Sequence, residues 1–167
     1  MECLLLSVLV PLYNEEDWIA ECLRRVLAAP LPPGLDLEVI VVDDASTDAS
    51  ARIVEEMRDS DPTRIQLIQH LINLGKGAAI RTAIARARGD FCIFQDADLE
   101  YSPSDYPRML EPLISGEADC VFGSRFVTVG RRRVLYYWHS VANRWLTTVC
   151  NMISGLNLTD METCYKA

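Results

Sequence analysis

The chain has 167 residues, half of them apolar, with 16 Lys/Arg against 24 Asp/Glu and a formal net charge of −8. That length suits one α/β domain with a real core, and the mixed composition is that of a folded, soluble body. The acidic balance excludes a nucleic-acid partner, because a phosphate backbone needs a basic surface.

Leu4–Val10 is a near-continuous apolar run, as expected of a strand buried on both faces of a parallel sheet. Pro11-Leu12-Tyr13-Asn14 breaks it. A helix then carries Trp18, Ile19, Cys22, Leu23, Val26 and Leu27 on one face. After a Pro30–Gly34 loop, Leu37–Val42 reads as a second buried strand. Ser46 or Thr47 can cap the next helix, which turns Ile53, Val54 and Met57 inward. Ile65–Gln69 is the third predicted strand. Residues 75 to about 88 form a helix with Ile80, Ala83, Ile84 and Ala87 on one side. Phe91–Phe94, Tyr106–Ile114 and Asp119–Phe122 follow as strand, helix and fifth strand. Val134–Ile153 is a long helix with Trp138, Ala142, Trp145, Val149 and Met152 at four-three spacing. The β-α-β-α order predicts an α/β fold, a mostly parallel doubly wound sheet with helices on both faces.

Three bulk features bear on context. Residues 1–123 hold 10 Lys/Arg against 22 Asp/Glu, and residues 124–167 hold 6 against 2. The basic final quarter suits anionic ligands or lipid headgroups. The six cysteines show no CxxC pair and no histidine at ligand spacing, so they read as reduced core residues in a cytosolic setting. No apolar stretch reaches the length of a membrane span, and no basic segment precedes Leu4–Val10 as in a signal peptide. The chain stops at Lys166-Ala167, directly after the strand-like Thr163-Cys164-Tyr165, as a truncated chain would.

Ligands of open parallel sheets bind beyond the carboxyl ends of the strands, so the residues there carry the chemistry. After the first strand, Tyr13 and Glu15 offer a ring and a carboxylate, or simply an acidic helix start. After the second, Asp43 and Asp44 need water, donors or a cation. One can cap a helix while the other accepts from a ribose or base. After the fourth, Asp96, Asp98 and Glu100 face one side if the chain is extended. Three like charges repel unless they share a cation, and oxygen-only ligands suit Mg²⁺ or Mn²⁺. An acidic surface turn is the plainer alternative. Asn73-Leu74-Gly75-Lys76-Gly77 opens a helix whose start attracts anions, yet it lacks the spacing of a dinucleotide or P-loop fingerprint. Arg125 can fork onto a phosphate or a carboxylate. Arg131-Arg132-Arg133 reads as a solvated loop, and His70 and His139 read as structural.

Together, VLVPLYNEE (8–16), VIVVDDASTD (39–48), NLGKG (73–77), QDADLEYSP (95–103), GSRF (123–126) and TDMETCYK (159–166) resemble the inverting glycosyltransferases of the GT-A fold. Within them the motifs look most like dolichol-phosphate mannose synthases and bacterial polyprenyl-phosphate relatives. The resemblance implies that Pro11, Tyr13, Glu15, Val42 and Asp44 line a nucleoside pocket, joined by Lys76 as a further donor contact. It implies that Asp96 and Ala97 touch the nucleotide sugar, that Asp98 binds the metal, and that Arg125 faces phosphate. Glu100 stands where relatives often carry another polar residue, and Lys166 where the synthases have arginine. Asp98, Arg125 and Lys166 are therefore the expected catalytic residues. Residues 1–167 would form one catalytic domain, with residues 1–123 holding donor nucleotide and metal and residues 124–167 forming an incomplete acceptor side.

The implied reaction moves a sugar from GDP-mannose or a UDP-hexose to a polyprenyl phosphate, with inversion and with Mg²⁺ or Mn²⁺. A peripheral place on the cytoplasmic face of a membrane goes with it. A phosphate acceptor is already ionised and needs little help from a base. A hydroxyl acceptor needs one, and after Arg125 the candidates are Asp160 and Glu162. Transfer to a hydroxyl, nucleotidyl transfer and donor binding without turnover are the competing readings. The second lacks its usual glycine-rich basic opening loop.

Overall fold

The computed structural model describes residues 4–126 and 137–167. Arg131–Arg133 and the predicted helical start at residues 134–136 lie outside them. Four strands form one sheet: β1 (Leu4–Leu12), β2 (Leu35–Asp43), β3 (Ile65–Gln69) and β4 (Phe91–Phe94). Their order is β3-β2-β1-β4, and every pairing is parallel. The apolar runs explain why. Leu6, Val8 and Val10 point to one face and Leu9 to the other, and all four are fully buried. A strand with two dry faces is stable only between helical layers.

Those layers are unequal. On one face β1 meets α1 (Ile19–Leu27), α2 (Ser50–Ser60) and α4 (Tyr106–Ile114) through Ile19, Leu23, Val26, Val54, Tyr106 and Leu110. On the other, Leu9, Ile40 and Val42 receive Ala79 and Ala83 of α3 (Lys76–Ile84). Small residues there let the helix backbone approach the sheet closely. The inner stripe of α3 is thus Ala79 and Ala83, while Ile84 is exposed, contrary to the periodicity read from the sequence. Trp18 likewise stands half-exposed at the start of α1 instead of inside its buried face.

Ser46 and Thr47 do not cap α2. They turn toward Asn14, whose amide donates to Ser46 Oγ at 3.0 Å and whose Oδ1 accepts from Thr47 N at 2.8 Å. Ala49 is the cap residue, and Asp48 before it accepts from Ser50 N, the first amide of α2, at 2.9 Å. The loops after β1 and β2 are tied further by Glu15 N to Ser50 Oγ and Ala49 N to Glu16 Oε2, both 2.8 Å. These polar motifs brace one another.

The expected fifth strand is reduced to an isolated antiparallel bridge between Phe122 and Lys166. Val121 exchanges backbone bonds with Ala167 at 2.8 and 2.9 Å, and Phe94 N donates to Lys166 O at 3.0 Å. The last residues therefore lie between β4 and residues 121–123. This long-range pairing is invisible to local patterning.

The last helix, α5 (Tyr137–Ser154), buries Asn143 and Thr147 and leaves Trp138 and Trp145 76% and 65% exposed. Neither tryptophan packs on the sheet. Among the described residues no helix is long and apolar enough to cross a membrane.

Candidate functional site

Strand order turns around at β1: β2 and β3 extend to one side, β4 to the other. A crevice at such a switch point, beyond the carboxyl ends, is where an open α/β sheet takes its ligand. A cleft of about 210 Å³ lies there. Its walls come from the end of β1 (Pro11, Leu12, Tyr13, Glu15), the end of β2 (Asp44), the start of α3 (Asn73, Gly75, Lys76, Ala79) and the turn after β4 (Asp96, Ala97, Asp98). The volume falls below the roughly 300–1,000 Å³ of a complete small-molecule site, so it has room for only part of a larger ligand. A larger cavity of about 480 Å³ beside the start of β3 lacks this convergence of strand ends.

Eight expected site residues thus meet on one cleft: Pro11, Tyr13, Glu15, Asp44, Lys76, Asp96, Ala97 and Asp98. Four are acids against one lysine. Burial raises the Glu15 carboxyl above its ordinary range, and the nearby charges of Asp98, Asp48 and Asp96 add to this.

Asp44 is almost fully buried and is the anchor of one wall. Its carboxylate accepts from Leu74 N at 3.0 Å, Gly75 N at 2.6 Å and His70 Nδ1 at 2.7 Å. Burial pushes its pKa up, but these donors outweigh it and hold the group below the usual carboxylate range. His70 Nε2 lies 2.9 Å from Thr82 Oγ1, so the ring links β2, β3 and α3. Read from sequence alone, His70 was merely structural; its place in this chain of contacts makes it a support of the cleft. The signal was its position directly after β3, beside the end of β2 in a parallel sheet. Gln95 is the other support. It is fully buried, accepts from Tyr106 OH at 3.0 Å and donates to the carbonyls of Asp96 and Tyr101 at 3.1 and 3.2 Å.

Several expectations are corrected. Residues 96–100 turn instead of running extended, with Leu99 at φ 60°, so alternate side chains do not share a face. Asp96 pairs with Lys76, Asp98 Oδ1 accepts from Glu100 N at 3.0 Å, and Glu100 does not line the cleft. Among the described residues no group of three or more His, Cys, Asp or Glu forms a ready cation cage. Val42 lies beneath the cleft, packed with Leu9, Ile40, Ala79 and Ala83, and not on its wall. Arg125 does not face the cleft either. Its Nε and Nη2 fork onto Asp160 at 2.8 and 2.9 Å. Lys166 lies over the Phe122 ring at 5.2 Å, turned to packing instead of the cleft. The cysteines are not all core residues: Cys120 is exposed, and Cys164 stands at the cleft rim, 3.3 Å from Lys76 Nζ.

Residues 7–165 match the model of "Glycosyl transferase family 2". The chain belongs to glycosyl transferase family 2. The family 2 sheet seen here is the expected α/β arrangement, and its structural neighbours are GT-A glycosyltransferases. An undecaprenyl-phosphate 4-deoxy-4-formamido-L-arabinose transferase of Edwardsiella ictaluri is 36% identical over 161 residues, covering 96% of this chain and 48% of the relative. A Pyrobaculum calidifontis mannosyltransferase, solved with GDP-Man and Mn²⁺, aligns with a TM-score of 0.54 at 34% identity, covering 60% of this chain and 29% of that one. Staphylococcus aureus TarS 1-349 with UDP aligns at 0.59 and 29% identity, covering 75% and 38%. This family 2 chain spans about half the length, or less, of the curated relatives it matches.

Proposed function

We propose that this chain is the donor-binding part of a glycosyltransferase that passes a sugar from a nucleoside diphosphate sugar to a polyprenyl phosphate, with a divalent cation. The observation that carries the donor reading is the cleft itself: an aromatic ring at Tyr13, the locked Asp44–Gly75 wall and a carboxylate-lined floor converge at the sheet's switch point. Relatives named as undecaprenyl-phosphate transferases support the acceptor.

The donor set fits a hard cation. Among the described residues four carboxylates line the cleft against one ammonium, and these repel an anionic diphosphate unless positive charge comes with it. Oxygen donors without His or Cys suit Mg²⁺ or Mn²⁺. Asp98 and Asp96 are the residues that would hold it, and the bound ion would neutralise the diphosphate. Two neighbours were solved with Mn²⁺. The chain's own contribution is placement: Tyr13 and Pro11 flank the nucleoside, Asp44 fixes the loop beside it, and Gln95 fixes the turn that presents Asp96 and Ala97.

Transfer is an in-line displacement. An acceptor phosphate oxygen bonds to the anomeric carbon as the bond to the diphosphate breaks, and the nucleoside diphosphate leaves with the electron pair. Configuration inverts. Of the two base candidates for a hydroxyl acceptor, Asp160 is buried and held by Arg125 and Asn143. Exposed Glu162 remains as a base for a hydroxyl, whereas an acceptor already ionised needs none. Exposed Trp138 and Trp145 on α5 support peripheral contact with a membrane surface, which liposome flotation tests.

The reaction is tested with a full-length protein containing this chain, radiolabelled UDP- and GDP-sugars, and undecaprenyl phosphate. Label in a lipid-extractable product is expected. Label passing to a soluble or polysaccharide hydroxyl would replace the acceptor reading, and pyrophosphate release from a nucleoside triphosphate would replace the reaction class.

A further inference from the structure

Among the described residues lining the cleft, Lys76 supplies the one positive charge, and it is paired. Its ammonium sits 2.7 Å from Oδ1 and 2.8 Å from Oδ2 of Asp96, with Cys164 Sγ at 3.3 Å. It donates to Asp96 Oδ2 and to Cys164 Sγ, and its charge is paired with both oxygens of Asp96. Both oxygens of Asp96 are likewise turned to one cation.

The surroundings hold this pair in place. Gln95, fully buried, donates to the Asp96 carbonyl. Cys164 is carried by a segment clamped through Tyr165, which stacks on Tyr101 at 5.0 Å and donates to Ser102 O at 2.9 Å. The Lys76 side chain is half-exposed, with its ammonium 2.7 Å from Asp96 Oδ1. A divalent cation on Asp96 and an ammonium bridging both Asp96 oxygens compete for the same acceptors and repel each other. Diphosphate oxygens offer Lys76 alternative acceptors, and a lysine is a compact charge on a flexible four-carbon stem, able to change partners.

We propose that Lys76 is a resident counter-ion that keeps Asp96 from a divalent cation until a nucleoside diphosphate draws the ammonium away. Lys76 is then a positioning residue whose exchange makes cation and donor bind together. Because binding coupling is reciprocal, each ligand strengthens the other by the same factor. The inference rests on the donor-site reading above and adds an order of events to it. A static tie between α3 and the acidic turn predicts the opposite mutational result, since cutting a tie loosens the site for both ligands.

The test is calorimetric titration of Mn²⁺ into the 167-residue chain, first alone and then with saturating UDP or GDP. Wild type, Lys76→Met, Lys76→Gln and Lys76→Arg are compared, each first checked for a native melting transition. Without nucleotide, Lys76→Met and Lys76→Gln bind Mn²⁺ about five-fold or more tightly than wild type, and the gain from nucleotide shrinks by a similar factor. Lys76→Arg keeps the charge and stays close to wild type. Equal or weaker Mn²⁺ binding by whichever neutral variant folds overturns the exchange. Failure of wild type to bind either nucleotide with Mn²⁺ overturns the donor-site reading instead, so the two failures are distinct.

Discussion

Asp44 shows how one side chain can shape a site without spare capacity for much else. Its two oxygens take donors from Leu74, Gly75 and His70, so its first task is to lock the loop that opens α3. Asp44→Ala weakens nucleoside diphosphate binding by about 1–3 kcal/mol, the usual result of orphaning buried donors to a charged acceptor. Calorimetry checks this, and unchanged affinity would mean that the loop holds its shape unaided. His70→Leu shifts affinity in the same direction, whereas His70→Asn, which retains a donor at similar reach, restores part of it. Gln95→Leu strands the Tyr106 hydroxyl and two backbone carbonyls. It lowers unfolding free energy by about 1–3 kcal/mol in a urea titration; an unchanged midpoint with an unchanged slope would contradict the role given to Gln95. Strand-end acids announce themselves in a sequence because ionised side chains after apolar runs are unusual. The partner of each does not. Nothing local tells that Arg125 meets Asp160, 35 residues away, or that Lys76 meets Asp96.

Elements were legible where one residue pattern met one environment. Apolar runs located β1 and β2 because a central parallel strand has no polar face, and the stripe of α1 followed its buried side. Asp119–Phe122 failed as a strand because its partner is the far end of the chain and its neighbour in the sheet is that segment, not β4. The predicted extension of residues 96–100 failed for another reason: Leu99 adopts a left-handed backbone that sequence rules reserve for glycine or asparagine. α5 is held to the body by polar contacts. Asp160 accepts from Arg125 and from Asn143 Nδ2 at 3.0 Å, and Thr147 donates to Asn143 Oδ1 at 3.0 Å. Burial pushes the Asp160 carboxyl up, but Arg125 and Asn143 outweigh it and hold it below the usual range. A depressed carboxylate contributes stability that is present above its unfolded-state value of about 3.9 and lost as pH falls through the folded value. Protection of α5 amides from hydrogen exchange should accordingly persist at pH 5 and decline below about pH 4. Asp160→Asn lowers protection throughout and flattens that dependence. A variant with the wild-type profile would show that apolar packing, not this network, docks the helix.

At the scale of the whole molecule, the sheet order is what gathers four distant motifs into one cleft. Residues 11–15, 44, 73–79 and 96–98 meet because β1 lies between β2 and β4 and all carboxyl ends point the same way. The cleft was legible for that reason: strand polarity follows from the β-α-β order, and the ligand end follows from polarity. The acceptor side was less so, since Arg125 and Lys166, its expected cations, are committed to Asp160 and Phe122. Among the described residues four carboxylates and one lysine line the cleft, and a diphosphate on such a surface needs added positive charge. Isothermal calorimetry of UDP and GDP, in Mn²⁺ and in EDTA, with wild type and Asp98→Asn, addresses this directly. Wild type should bind at least one nucleotide at least ten-fold more tightly with Mn²⁺, a difference of about 1.4 kcal/mol, and Asp98→Asn should erase that difference. Equal affinity with and without the ion, or an Asp98→Asn variant that keeps the full gain, would contradict the account.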